Sequence, residues 1–204
     1  MKKNYVITIG RQLGSGGKQI GELLSQKLGI PCYDKELILL ASRESGLGKE
    51  FFEKFDEKSS YSFFTNLLAH HSGFINDNAG NYLCNETLFQ IQSDVIKKLA
   101  EKDSCIFVGR CADYILRNHP SLFSIFIHAN LDDRIHRIMI EKKIVEKEAK
   151  NLIEQTDKKR AEYYNYYSNK TWGMSISYDL CINSSVLGIE GTSKFIFQYI
   201  SSIS

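Results

Sequence analysis

Four apolar runs rich in β-branched residues set the rhythm of the chain: "YVITI" (5–9), "CIFVG" (105–109), "FSIFIHA" (123–129) and "YDLCINS" (178–184). The first three are almost unbroken in hydrophobicity, as strands covered on both faces require. Between the runs, apolar positions recur with a helical period. In "KQIGELLSQKLG", Ile20, Leu23, Leu24 and Leu28 fall on one face, and Gly29 followed by Pro31 supplies a stop. In "LFQIQSDVIKKLAEK", Leu88, Ile91, Val95, Ile96 and Leu99 share a face in the same way. Strands alternating with helices predict an α/β fold with a parallel sheet.

Residues 45–87 break this rhythm. They are rich in Phe, Ser, Asn and Gly, with helical fragments ("KEFFEKF", "SFFTNLLAHH") and a polar stretch, "NDNAGNYLCNET". The pattern predicts a lobe inserted into one core made of residues 1–44 and 88–204. No linker and no internal repeat divides the 204 residues, so a single domain is expected.

Composition narrows the partners. With 43% hydrophobic and 25% charged residues the chain is an ordinary globular sequence. A net charge of +2 is too small to imply nucleic-acid or membrane binding from the overall field, so any anion site must be local. The apolar run near the N-terminus is too short for a signal-peptide core or a membrane span. Five scattered cysteines without a C-x-x-C pair read as free thiols in a reducing cytoplasm. Self-association is left open.

The stretch "GRQLGSGGKQI" (10–20) follows the first predicted strand and precedes the first predicted helix. In that setting glycines let several backbone N–H groups point inward, and the helix N-terminus adds partial positive charge. Against the strict form G-x-x-x-x-G-K-[ST], Gly17 and Lys18 fit, whereas Gln12 stands at the first glycine position and Gln19 follows the lysine. By itself the stretch reads equally as a phosphate cradle or a tight strand-to-helix turn.

Downstream residues tip the balance. "FVGRCADYIL" puts Arg110 and Asp113 just past the carboxyl end of a predicted strand, the edge where open α/β sheets bind ligands. In "HANLDDRIHRIMIEKK", Asn130 suits an N-cap and Ile135, Ile138 and Met139 a buried face, with Arg134, Arg137 and Glu141 opposite. In "NLIEQTDKKRAEYYNYYSN", Asp157, Arg160 and Tyr164 line one side of a helix, while Lys158 and Lys159 read as a solvated face.

Together these pieces resemble the cytidylate kinase-like branch of the P-loop nucleoside monophosphate kinases. The resemblance runs through "YVITIGRQLGSGGKQIGELLSQKLGIPCYDKELI", "CIFVGRCADYIL", "FSIFIHANLDDRIHRI", "DKKRAEYYNYY" and "YDLCINSSVLGIE", in that order, and leaves out residues 45–80. It implies a P-loop NTPase-type parallel sheet of about five strands. It also implies a helical nucleotide-monophosphate lobe at about 45–87 and a lid at about 140–175. The implied reaction is transfer of the γ-phosphoryl of ATP, with Mg²⁺, to a nucleoside monophosphate. Gly14, Ser15, Gly16, Gly17 and Lys18, followed by Gln19, become the ATP phosphate loop. Asp34, Arg110, Asp113 and Asp157 become the acceptor set, and Lys18, Arg134, Arg137 and Arg160 the catalytic cations. No metal-ligating residue is assigned.

Two differences stand out, the first bearing on metal binding and phosphate geometry and the second on the acceptor. Cys111 stands where the family carries Asp after Gly-Arg, and Lys35-Glu36 where it carries Ser-Gly after the acid. A CMP or dCMP acceptor is favoured; the alternatives are another small acceptor, or a nucleotide-binding regulator with impaired catalysis. The adjacent His70 and His71 make an improbable metal site. The tyrosines 163, 164, 166 and 167 read as packing and lid surface, and Trp172 as core or hinge.

Overall fold

The computed structural model describes residues 4–44, 46 and 79–203. Among these, five strands form one sheet, paired in parallel throughout: β1 (Val6–Arg11), β2 (Cys32–Tyr33), β3 (Cys105–Val108), β4 (Leu122–His128) and β5 (Leu180–Asn183). The spatial order is β2-β3-β1-β4-β5, so β1 is central and its carboxyl end lies between those of β3 and β4. The helices are α1 (Gly17–Leu28), α2 (Lys35–Glu44), α3 (Ala79–Lys102), α4 (Ala112–Ile115), α5 (Leu131–Lys142), α6 (Glu146–Ser168) and α7 (Ser184–Ile203).

Alternation along β1 explains the unbroken apolar run. Ile7 and Ile9 enter one core with Ile20 and Leu24 of α1 and Ile196 and Ile200 of α7. Val6 enters the opposite core with Phe107, Ile38 of α2 and Ile96 of α3. Both faces are therefore covered, and a polar residue on either would lose its water. Thr8, on the second face, is buried as well.

The helix stop at Gly29 is where the sequence places it: Gly29 takes a left-handed φ of 66° and its amide bonds back to Ser25. Asn130 occupies the N-cap position of α5, but its side chain does not cap. Its Oδ1 instead accepts from Asn183 Nδ2 at 3.0 Å, tying α5 to the end of β5.

One expectation about helix faces changes. Arg134 lies only 6% exposed and not on an outer face, because its partners are on the loop after β1. The boundary expected at residue 87 falls inside α3, which runs unbroken from Ala79. Residues 47–78, with the fragments and histidines noted above, lie outside the described residues. Among the described residues, no helix is long and apolar enough to cross a membrane.

Candidate active site

Between β1 and α1 the chain makes a turn whose carbonyls are held by donors, most of them from distant helices. Arg160 donates to the carbonyl of Arg11 at 2.9 Å, Arg134 Nε to Leu13 at 2.8 Å and Arg137 to Gly14 at 3.0 Å. The Ser184 hydroxyl donates to Ser15 at 2.7 Å. The remaining carbonyl, of Gln12, accepts the hydroxyl and amide of Ser15 at 2.9 and 3.4 Å. Each carbonyl from residue 11 to 15 thus has a donor, and the amides of Gln12, Leu13 and Ser15 are engaged as well, so the course of the loop is fixed before any ligand arrives.

Glycine is required here for two reasons. Gly14 and Gly16 have φ of 76° and 77°, the left-handed region that costs a side chain dearly. A Cβ on Gly17 would sit 2.5 Å from Cβ of Arg11. Gly16 is the N-cap of α1, and no side chain caps that end. A helix start without a capping side chain, approached by glycines, is chemically suited to a polyphosphate.

Lys18 sits in the first turn of α1, and its ammonium pairs with the carboxylate of Asp34 at 2.6 Å. The other oxygen of Asp34 accepts the Leu37 amide at 3.1 Å, which holds the carboxylate at the start of α2. The two residues expected on donor and acceptor sides therefore meet.

A cavity of about 160 Å³ opens at the carboxyl ends of β1 and β3, as expected for a parallel sheet. Arg11, Lys35, Arg110, Lys159 and Arg160 line it with positive charge, against one acid, Asp113. Lys159 thus belongs to the cavity wall and not to a solvated face. Arg110 lies over the ring of Tyr163, 5.3 Å from its centroid. It is reached through three successive left-handed residues: Gly109, Arg110 and Cys111 have φ of 83°, 60° and 53°. Two of these are not glycine, a backbone cost that concentrates at functional positions.

Asp113 is 9% exposed and accepts a 2.7 Å hydrogen bond from Tyr164. Burial pushes its carboxyl above the ordinary carboxylate range, with the Tyr164 bond and the Lys170 charge pulling back. Burial also lowers the pKa of Arg160; Asp157 opposes that shift, while Arg110 and Arg134 add to it. Cations held this close favour an anion among them.

The structure therefore brings Arg110, Asp113 and Arg160 to one cavity, and Lys18, Arg134, Arg137 and Arg160 around one loop. It does not bring Asp157 to the cavity lining. Asp157 Oδ1 accepts the Leu13 amide at 2.8 Å, and its other oxygen pairs with Arg134. Arg134, expected as a phosphate-bridging cation, and Asp157, expected as an acceptor ligand, are thus paired with each other and with the backbone of Leu13. Sequence reasoning missed Ser184 and the cavity role of the tyrosines. Thr156, Lys159, Arg160, Tyr163 and Tyr164 all line the cavity, and their spacing of three and four on α6 is a signal for such a face. Nothing in the sequence marks Ser184.

Among the described residues, no group of three His, Cys, Asp or Glu could hold a metal ion. Beside Lys18 the loop offers Gln19, whose amide oxygen is a neutral hard ligand. Such a site fits an Mg²⁺ ion held chiefly by nucleotide phosphates and water, the usual manner for that ion.

Residues 6–186 match the cytidylate kinase-like family. The chain belongs to that family. Curated cytidylate kinases from strains of Saccharolobus islandicus are 31% identical over 127 residues, 58% of this chain and 65% of theirs. The match thus spans just under two thirds of those relatives. Among solved structures, an uncharacterized protein from Eubacterium ventriosum is similar over 98% of this chain and 99% of its own. It shows 29% identity and a TM-score of 0.73. A shikimate kinase from Bacteroides thetaiotaomicron, at 14% identity and TM-score 0.53, covers 97% of this chain and 98% of its own and shares the fold.

Proposed function

We propose that the protein transfers the γ-phosphoryl group of ATP to a small phosphorylated acceptor, with CMP or dCMP favoured. The observation that carries this reading is the juxtaposition of a glycine loop, its carbonyls held by α5, α6 and α7, with a cationic cavity at the same sheet edge.

In the reaction the bond from the γ-phosphorus to the β–γ bridging oxygen breaks as a new bond forms to an acceptor phosphate oxygen. The acceptor is already an anion, so no strong base is needed, and catalysis is alignment plus neutralisation of charge. The amides of Gly14 and of residues 16–19, with the Lys18 ammonium, hold the β- and γ-phosphates. Arg110 and Arg160 hold the acceptor phosphate, each able to present two N–H groups in a plane while keeping its proton. Asp113 and Tyr164 shape the deeper wall. Mg²⁺, when bound with the nucleotide, supplies further neutralisation across the phosphates. The span at about 140–175 serves as the cover that excludes water, since an open site would hydrolyse ATP.

A second acceptor class has one observation in its favour: Lys35, a bulky cation, lines the cavity where the family carries Ser. A coupled ADP-release assay with Mg-ATP against CMP, dCMP, UMP, AMP and GMP tests both readings. Turnover with one of these supports the first. Turnover with none, together with a thermal shift by ATP, supports a different acceptor or a nucleotide-binding regulator with impaired catalysis. Absence of both would end the assignment.

A further inference from the structure

Leu13 stands at the entry to the glycine loop, and both of its backbone polar groups are held by the two members of one ion pair. Asp157 Oδ1 accepts the Leu13 amide at 2.8 Å. Arg134 Nε donates to the Leu13 carbonyl at 2.8 Å, and the Arg134 guanidinium also pairs with the second oxygen of Asp157. The amide and the carbonyl belong to the peptide planes on either side of the Leu13 Cα, so gripping both fixes the directions of both planes. The Leu13 side chain adds a third anchor, packing against the cluster that Ile135 and Ile138 of α5 form with Ala149 and Ile153 of α6.

This is a costly way to hold a turn. The Arg134 and Asp157 side chains are only 7% and 15% exposed, and a buried ion pair is poor evidence of added stability, because desolvation offsets much of its attraction. A charge so deeply placed, spent on one residue's backbone, is better accounted for by what that backbone orients. The amides that follow Leu13 are those of the proposed triphosphate cradle.

We propose that Arg134 and Asp157 form a single positioning clasp, which sets the phosphate loop by fixing Leu13 and touches no phosphate itself. This rests on the proposed binding of ATP at the loop and deepens it. The sign of one substitution separates the clasp from the simpler view that Arg134 is a phosphate ligand and Asp157 a nearby acid. Removing an acid that merely sits near a triphosphate tightens binding, because a repulsion disappears. Removing a clasp weakens it, because the cradle loses its shape.

The experiment is calorimetric titration of Mg-ATP into the full chain, comparing wild type with Asp157→Ala, Arg134→Ala and the double variant. Asp157→Asn and Arg134→Lys are the milder changes, each keeping a hydrogen-bonding group. The expected result is an ATP dissociation constant raised at least about ten-fold by either alanine, since small misplacements of binding groups are costly. The double variant is expected to stay within about two-fold of the worse single, as for groups acting as one unit. Asp157→Asn and Arg134→Lys should recover part of the loss. Unchanged or tighter ATP binding by Asp157→Ala overturns the clasp, as do losses that multiply in the double variant.

Amide hydrogen exchange of the ligand-free proteins provides a readout that does not need ATP. Asp157→Ala should speed exchange across residues 12–18 while α1 beyond its first turn keeps its protection; unchanged exchange there overturns the clasp. A wild-type chain that fails to bind ATP refutes the proposed function instead, and the exchange comparison still decides this inference.

Discussion

The Lys18 ammonium lies 2.6 Å from the Asp34 carboxylate, bridging the first turn of α1 and the start of α2. Lys18 is 59% exposed, so the pair is screened and contributes at most about 1 kcal/mol. A contact that weak is readily exchanged for a phosphate. Asp34→Asn should therefore leave the KM for ATP unchanged or lower it, since the lysine loses a competitor. The KM for the acceptor should rise about ten-fold or more, the usual loss when a charged hydrogen-bonding group is removed from a site. Steady-state kinetics with each substrate varied in turn checks this; a raised KM for ATP beside an unaltered acceptor KM contradicts it.

Lys18→Ala separates chemistry from folding. The lysine contributes little to the core, so the melting temperature should move by no more than about 2–4 °C. Loss of a cation from the transferring group should lower kcat by about 10³-fold or more. A circular-dichroism melt and a turnover assay on the same preparation check both.

Gly17→Ala acts by a different route. The new methyl would fall 2.5 Å from Cβ of Arg11, a position fixed by β1 rather than by a flexible side-chain end. Overpacking of this kind costs about 1–3 kcal/mol. The loop must then shift, so ATP binding should weaken together with stability. Thermal melts with and without ATP check this: the variant should melt lower alone and gain less from the nucleotide.

Asp113 gives a pH signature. Its folded-state pKa is raised above the ordinary carboxylate value, chiefly by burial, so the native protein binds the proton more tightly than the unfolded chain does. Stability from this group is therefore full below the unfolded pKa, and falls as pH rises from there through the folded pKa. Asp113→Asn removes the titration. Its melting temperature relative to wild type should rise as pH is taken from about 3 toward 7. A difference that is constant with pH contradicts the assignment.

Much of the sheet is visible in the chain because burial on both faces leaves long apolar runs. The run at 5–9 corresponds to β1, 105–109 to β3, 123–129 to β4 and 178–184 to β5. β2 shows no run because it is two residues long, Cys32–Tyr33, too short for any period to register. The helix at 17–28 announces itself by a stripe and a glycine stop. The site is harder to read. Glycines and a lysine after a strand identify the loop, but what Arg134 touches depends on contacts across 121 residues of sequence. Helical spacing put Arg134 on the outer face with Arg137, and tertiary pairing with Leu13 and Asp157 overrode that placement. Ser184 and its bond to Ser15 span 169 residues, and no local pattern could foretell them.

The loop amides between Gly14 and Gln19 are the centre of the account. A crystal grown with a non-hydrolysable ATP analogue and Mg²⁺ tests them most directly. The β-phosphate oxygens should lie about 2.7–3.2 Å from the amides of residues 16–18, with the Lys18 ammonium turned from Asp34 toward the phosphates. A triphosphate bound elsewhere, with those amides meeting only water, would contradict it.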